Sequence, residues 1–315
     1  MNSTNGNWRL GLGLALGVAL MWGVLPIMLT VALRYVDFWT VTWWRFFGAV
    51  VVVGTWLAWR RRLPLRKMTD PGVWRWLVPT ALALTANYVL YLQGLRFTSP
   101  TVAQTVIQIA PLLLLVSGVV IFREPFSPRQ WRGYAVLVIG LLLFFNRRLP
   151  LLLAPTQGWG LGIMFILLAA LTWVIYAVGQ KKLHVRLSST QVLWTVYVAA
   201  VLLLWPMAAP ASAMAMSAGG WLALVACMAN TILAYGAFGL ALEHWEVSRV
   251  SAVIALAPLV TIVASHLAAL PGIALIAPEE LNAMSILGAI CVVSGSIISA
   301  MGGRPAGVAT KDVRT

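Results

Sequence analysis

The amides most suited to contact a polar solute are those of Gln104 and Gln108, within the apolar stretch 98–131. With Pro111 they are spaced i, i+4 and i+7, which places all three on one face of a helix. Amides facing lipid would cost free energy, so this face is expected to look into protein or a water-filled space. Pro111 deprives an earlier carbonyl of its helical N–H, and such a break is tolerated beside a cavity. The spacing therefore predicts a solute path with a hinge at Pro111.

Polar and aromatic residues recur inside other apolar stretches, where each must find a partner or water. Asn87 and Tyr91 are four residues apart, beside Tyr88. Each could line a cavity or make an interhelical hydrogen bond worth about 1 kcal/mol. The candidates for solute contact are Trp22, Asn87, Tyr88, Tyr91, Gln104, Gln108, Trp173, Tyr176, Tyr235 and Ser251.

Arg45 is the one formal charge placed well inside an apolar stretch. Its guanidinium could pair with a substrate carboxylate, extend towards the lipid headgroups, or be held by backbone carbonyls. The structural role is favoured, with the charge contact kept as the alternative.

The acidic residues bear on energy coupling, because a proton-coupled carrier usually keeps a carboxylate or histidine inside the membrane. None of the eight acidic residues falls in mid-membrane by the predicted boundaries. This favours facilitated transport or exchange, and leaves proton coupling through Arg45, His266 or a loop acid open. The sequence also lacks a phosphate-binding Gly-rich loop with Lys, an HExxH pair and a Cys/His metal spacing. No enzyme activity, cofactor or metal is therefore predicted.

The composition determines the class of protein that must position these residues. Of 315 residues, 61% are hydrophobic and 10% are charged, against roughly 25% charged in soluble domains. Apolar runs recur along the whole chain, so the fold class is an all-α polytopic membrane protein whose first span is retained. The net charge of +14 lies in short loops between spans and predicts no nucleic-acid partner.

Helical lengths near twenty residues, enough to cross a bilayer, divide the chain into ten spans. They are predicted at 9–31, 38–59, 73–95, 99–122, 129–146, 158–180, 189–208, 218–242, 247–270 and 283–302.

Basic residues in the short loops predict the orientation of the spans. The heaviest cluster follows the second span and is assigned to the cytoplasm; it consists of Arg60, Arg61, Arg62, Arg66 and Lys67. Alternation then places both termini in the cytoplasm, with Arg147 and Arg148 as exceptions. The predicted location is the bacterial inner (plasma) membrane.

An internal repeat divides the spans into two sets of five. A shift of 147 residues places Tyr88 on Tyr235 and Pro111 on Pro258, which makes Pro258 a second hinge. Because five is odd, the second repeat is predicted to be inverted in the membrane, with a central cavity between the two. A longer shift places Glu124, Gly133 and Gly140 on Glu279, Gly288 and Gly295. The predicted divisions are a tail (1–8), a first repeat (9–148), a linker (149–157), a second repeat (158–302) and a tail (303–315).

Several of these segments, taken in order, carry a family resemblance. They are Trp22-Gly23 followed by Pro26, Trp44-Arg45-Phe46, Ser99-Pro100 to Pro111, Arg123-Glu124-Pro125, and Gln130-Trp131-Arg132-Gly133 with Gly140. Over residues 8 to 302 the chain resembles the EamA-type transporters of the drug/metabolite transporter superfamily. The resemblance implies a cavity lined mainly by the first, third, fourth, sixth, eighth and ninth spans. It also implies transport of small metabolites, often export of amino acids.

Two functions remain as hypotheses. The first is a transporter that exports or exchanges small metabolites, amino acids or related compounds, by alternating access. The alternative is a lipid or lipid-carrier flippase, or another membrane-embedded lipid-processing protein. The expected partners are a small-molecule substrate and the lipid bilayer, and the sequence leaves the oligomeric state open, a monomer included.

Overall fold

The structure is a computed structural model that describes residues 8–110, 113, 127–146, 158–183, 185–244, 250, 253–271, 273–278 and 281–301. These residues are mostly helical, and no strand occurs among them. The prediction of an all-α fold is confirmed for these ranges. The predicted linker 149–157 lies outside them, as do most residues of both tails.

The helices of the described residues are numbered here in chain order. They are α1 (Trp8–Ala32), α2 (Phe38–Trp59), α3 (Pro71–Phe97), α4 (Pro100–Val106), α5 (Pro128–Phe144), α6 (Trp159–Leu183), α7 (Ser189–Leu204), α8 (Ala218–His244), α9 (Ala257–Ala268) and α10 (Ala283–Met301). Short 3-10 helices, Leu65–Thr69 and Pro210–Ala215, precede α3 and α8. Apart from the fourth and ninth, the predicted spans coincide with helices to within a few residues.

Short polar residues determine where several helices begin. Asp37 caps α2 by accepting hydrogen bonds from the backbone N–H groups of Trp39 and Thr40. Ser127 and Ser188 each form a capping box with a glutamine three residues later, which satisfies N–H groups that lack a partner within the helix. Asp70, Ser99 and Ser127 each stand before a proline, and a proline fits the first helical position because its missing N–H is not needed there.

The outer surface of the helices is suited to lipid. Four helical segments are long and apolar enough to cross a membrane: Trp8–Ala32, Phe38–Trp59, Trp159–Gln180 and Ala218–Ala241. Large apolar side chains point outward from them and from their neighbours, including Leu20, Leu202 and Leu222, the last of which is 72% exposed. Helices that are apolar all round are stable only where their surroundings are apolar too.

Helices distant in the sequence pack as pairs. The main pairs are α1 with α8, α3 with α6, α5 with α10, α2 with α7, and α4 with α9. Helix α1 also packs against α9, where Thr261 donates a 2.6 Å hydrogen bond to the carbonyl of Gly23. The pairing joins the first five helices to the last five throughout the bundle.

Glycines bring α5 and α10 into backbone contact. A Cβ on Gly140 would lie 2.6 Å from the backbone nitrogen of Val292 and 2.8 Å from the carbonyl oxygen of Gly288. Gly133 and Gly295 meet in the same way further along the pair. Small residues at such crossings allow close van der Waals packing, which drives helix association in lipid. We call these four glycines the glycine seam.

The loop before α3 is tied to the loop before α7 at one end of the bundle. Lys67 Nζ donates to the carbonyl of Arg186 at 2.8 Å, and Gln191 Nε2 donates to the carbonyl of Arg62 at 2.7 Å. Arg186 and Asp70 form an exposed ion pair. The N–H of Gly72 and the guanidinium of Arg186 hold the pKa of the Asp70 carboxyl below its usual value of 3.8. Two basic loops predicted to face the cytoplasm therefore lie together.

Candidate functional site

Two helical segments are interrupted: the one that begins with α4 and the one that leads into α9. Helix α4 ends at Val106, and residues 107 and 108 form a turn before helical residues resume at 109. Residues 253 and 254 are helical, a turn follows at 255 and 256, and α9 begins at Ala257. The two breaks fall at nearly equivalent positions under the predicted shift of 147 residues. The fourth and ninth spans are therefore broken rather than continuous, which differs from their predicted ranges.

Pro258 lies in the first turn of α9 and is buried. The break at 255 and 256 thus comes two residues before the proline, which fits the first turn of a helix because its missing N–H is not needed there. The sequence placed the hinge at Pro258 itself. Pro111, the other predicted hinge, lies outside the described residues, as does Ser251.

The two breaks are in contact through Gln108. Its Nε2 donates a 3.1 Å hydrogen bond to the carbonyl oxygen of Ala255. These residues are 147 positions apart, which is the predicted repeat shift. Gln108 is 8% exposed, so this contact lies inside the bundle.

Gln104 contacts a different helix from Gln108, because the turn at 107 and 108 separates the two amides. Gln104 Oε1 accepts a 3.1 Å hydrogen bond from the hydroxyl of Tyr91 on α3. Its side chain is 8% exposed. The two amides therefore bond to different helices, and both are buried at helix contacts.

Arg45 is buried between α2, α3 and α8, with 3% of its surface exposed. Its Nε donates to Thr231 Oγ1 at 3.0 Å. The guanidinium carbon stands 4.6 Å from the centre of the Tyr88 ring, which is a cation–π contact. The arginine therefore stays inside the bundle rather than extending towards the headgroups.

Tyrosines from four helices gather beside this arginine. Tyr88, Tyr176 and Tyr197, from α3, α6 and α7, belong to one buried cluster, and Tyr235 of α8 packs against it. The Tyr197 hydroxyl is buried and has no hydrogen-bond partner among the residues that the structure describes. The group offers polar hydroxyls and aromatic faces together inside the bundle.

Two tryptophans predicted to face a cavity lie at the edge of the tyrosine group. The Trp22 ring meets Tyr235 at 5.6 Å and Phe238 at 5.7 Å between ring centres. Trp173 is partly buried and packs against the cluster that contains Tyr88 and Tyr176. Trp22 therefore adds an aromatic ring from α1 to the tyrosine group, and Trp173 adds one from α6.

The asparagines join paired helices. Asn87 donates a 2.7 Å hydrogen bond to the carbonyl of Ala169, which links α3 to α6. Asn230 donates a 2.5 Å bond to the carbonyl of Met21, which links α8 to α1. Asn87 thus has the interhelical bond that was the alternative to cavity contact.

A cavity of about 250 Å³ opens at the end of α1, near the start of α2. Arg34, Asp37 and Arg96 supply its charged groups, and none of the predicted contact residues lines it. The predicted central cavity would also border 111–126 and 245–252, which lie almost wholly outside the described residues. It therefore stays a prediction.

The family model of the EamA-like transporter family matches residues 9–146 and again residues 160–301. The chain belongs to this family. The predicted EamA resemblance is thereby confirmed, and membership makes the chain a membrane transporter by family.

Curated relatives of this EamA chain carry transporter names. It is 36% identical to "Uncharacterized inner membrane transporter YhbE" of Escherichia coli strain K12 over 94% of this chain and 92% of that protein. It is also 36% identical to "Uncharacterized transporter" of Haemophilus influenzae, over 93% of this chain and 95% of that protein. One solved crystal structure matches 94% of this chain and 99% of its own with a TM-score of 0.60. At 16% identity the likeness to that structure shows the fold alone.

Two residues of the candidate site, Thr231 and Tyr197, were not predicted from the sequence. Thr231 could not be found from the sequence, because its bond to Arg45 joins residues 186 positions apart. Tyr197 had a usable signal, since a tyrosine inside an apolar stretch needs a partner, as did Tyr88. Within the described ranges, no three His, Cys, Asp or Glu residues form a group that could hold a metal ion.

Proposed function

We propose that this chain is an inner-membrane carrier that moves amino acids or related small metabolites outward, or exchanges them, by alternating access. In this proposal the chain forms ten spans in two inverted repeats, 9–148 and 158–302, around a central cavity. Two matches to the same family model support the division. Under the shift, the pair α1 and α8 becomes the pair α6 and α3, and both pairs are in contact. The name of the Escherichia coli relative supports the inner membrane.

The observation that carries the proposal is the contact between the two broken helices at Gln108 and Ala255. Broken helices near mid-membrane leave backbone groups without helical partners, and carriers use such groups to bind solutes. In the proposed inverted repeat, Gln108 and Ala255 are equivalent residues, and their contact supports a junction of the repeats at these breaks. Rocking one repeat against the other, with Pro111 and Pro258 as hinges, would expose the junction to each side in turn.

The residues around the junction fit an amphipathic solute. Glutamine amides and tyrosine hydroxyls can hydrogen-bond polar groups, while aromatic faces can contact an apolar or cationic side chain. The proposed contact residues are those predicted from the sequence: Trp22, Asn87, Tyr88, Tyr91, Gln104, Gln108, Trp173, Tyr176, Tyr235 and Ser251. The proposal also keeps both termini in the cytoplasm.

Counterflow in proteoliposomes tests the proposal. Vesicles that contain the purified protein and unlabelled amino acid are expected to accumulate the labelled amino acid, whereas protein-free vesicles are not. The absence of flux for every amino acid would overturn the proposal. A gain in the flip rate of a labelled lipid in the same vesicles would then favour the flippase alternative.

An imposed pH gradient tests the mode of transport. The carboxylates with described side chains, Asp37 and Asp70, lie at helix starts and accept hydrogen bonds from backbone N–H groups. Counterflow is therefore expected to be the same with and without the gradient. A flux that follows the gradient would contradict facilitated exchange and leave the carrier itself intact.

A further inference from the structure

Most of the hydrogen-bonding capacity of Arg45 is unused. A guanidinium has five N–H donors in a fixed planar arrangement. The Nε–H binds Thr231, and the Nη groups have no hydrogen-bond acceptor among the residues that the structure describes. The side chain is nevertheless 97% buried, since only 3% of its surface is exposed. The Nη atoms are not fully enclosed, so the unused donors border the small accessible part of the side chain.

The charge of Arg45 also lacks a described counter-ion. The carboxylates whose side chains the structure describes are Asp37 and Asp70. Asp37 accepts hydrogen bonds at the start of α2, and Asp70 is held by Gly72 and Arg186. Burying a cation without an anion is costly, and the cation–π contact with Tyr88 offsets only part of that cost. The site is therefore suited to receive one negative charge.

Gln104 adds a second donor to the same region. Its Oε1 is occupied by the hydroxyl of Tyr91. Its Nε2 has no acceptor in the described part of the chain, although the side chain is 8% exposed. Tyr88, which holds the Arg45 guanidinium, and Tyr91, which binds Gln104, are three residues apart on α3 and so lie on one face of that helix. Donors therefore outnumber acceptors here.

We propose that Arg45 and Gln104 bind a carboxylate of the transported solute, so that the substrates of this carrier are carboxylic acids. The inference rests on the proposed transport function. The planar guanidinium matches the two oxygens of a carboxylate. A carboxylate is favoured over a phosphate because one cation balances one negative charge, whereas a phosphate group carries about 1.5 to 2 at neutral pH.

Binding by the wild-type protein tests the inference without a variant. Phenylalanine and leucine are compared with their amides, their decarboxylated amines, a phosphate monoester and chloride, and the shift in thermal unfolding temperature is measured. Only the acids are expected to stabilise the protein. Equal stabilisation by the amides, stabilisation by the phosphate monoester alone, or stabilisation by chloride alone would each overturn the inference.

Arg45→Gln locates the carboxylate. Loss of a charged hydrogen bond is expected to weaken binding of the acids about 10- to 100-fold. Arg132→Gln is the matched control, because Arg132 is exposed on α5. Gln104→Leu should weaken the acids to a smaller extent, and it keeps the test open if Arg45→Gln does not fold. Unchanged affinity for the acids in a folded Arg45→Gln protein would refute the assignment.

Counterflow distinguishes the two possible failures. If amines or amides undergo counterflow while no acid binds, the inference fails and the carrier proposal stands. If no compound undergoes counterflow and no acid binds, both fail. If acids bind and no compound undergoes counterflow, the carboxylate site stands as a binding site and the transport function fails.

Discussion

Gln108 lies in the turn that interrupts the fourth span. Its side chain is buried, and its Nε2 donates to the backbone carbonyl of Ala255 in the second half of the chain. A hydrogen bond of this kind is worth about 1 kcal/mol. Its importance therefore comes from its position, between two interrupted helices that would have to separate or slide during transport.

Replacing the two glutamines tests whether their amides serve transport. Gln108→Leu is expected to slow counterflow about fivefold, because it removes an interaction of about 1 kcal/mol, and addition of Gln104→Leu should slow it further. Gln93→Leu is a suitable control, since Gln93 is partly exposed on α3. Normal transport by a well-folded double variant would mean that the amides do not contribute to the solute path.

Individual residues could be predicted only in part from the sequence. Arg45, Gln104 and Gln108 stood out because polar groups inside apolar stretches need partners, and all three are buried in the structure. Their partners could not be foreseen, because Thr231 and Ala255 are brought near by packing between distant helices. That Gln104 and Gln108 bond to two different helices was not predicted.

Helices are joined most closely at the glycine seam between α5 and α10. Ser299 Oγ donates to the carbonyl of Gln130 at one end of the pair, and Asn282 Nδ2 donates to Asn146 Oδ1 at the other. Backbone contact along the seam leaves no room for side chains. This pair is therefore expected to move as one body.

A single methyl group tests the seam. Gly140→Ala is expected to destabilise the protein by about 1–3 kcal/mol, the usual cost of overpacking, because the new Cβ would meet the Val292 nitrogen and the Gly288 oxygen. Thermal unfolding followed by size-exclusion chromatography measures the effect. Gly13→Ala is the control, since a Cβ there would have nothing within 4 Å. An equal change in both variants would contradict the close contact.

The positions of most helices followed from the lengths of the apolar stretches. Ser99-Pro100 and the serine and glutamine pair at Ser127 and Gln130 both mark helix starts in the structure. The breaks at 107–108 and 255–256 were missed because hydropathy does not change across them. They depend on contacts such as that of Gln108 with Ala255, which local sequence does not report.

At one end of the molecule, the loop before α3 is joined to the loop before α7 by contacts of Lys67, Asp70, Arg186 and Gln191. Because the pKa of Asp70 is depressed in the folded protein, the contribution of its ion pair is fully present above 3.8. It is lost only as the pH falls through the lower, folded value. The tie is therefore expected to be unaffected by pH in the neutral range.

Hydrogen–deuterium exchange tests whether these ties hold the two loops together. Arg186→Gln should raise the exchange rate of residues 60–72 and 185–191 by a few-fold, a small effect because both side chains of the ion pair are exposed. Arg132→Gln should leave these rates unchanged. Equal rates in the wild-type protein and the Arg186→Gln variant would show that the ion pair does not restrain the loops.

The glycine seam has a consequence for the origin of the chain. Gly133 faces Gly295 and Gly140 faces Gly288, so exchanging the two halves returns the same two contacts. A surface with that property can join two identical polypeptides before any fusion of their genes. If the proposed inverted repeat arose from one ancestor of five helices, inserted in both directions, that ancestor would have had the means to pair with its own opposite copy.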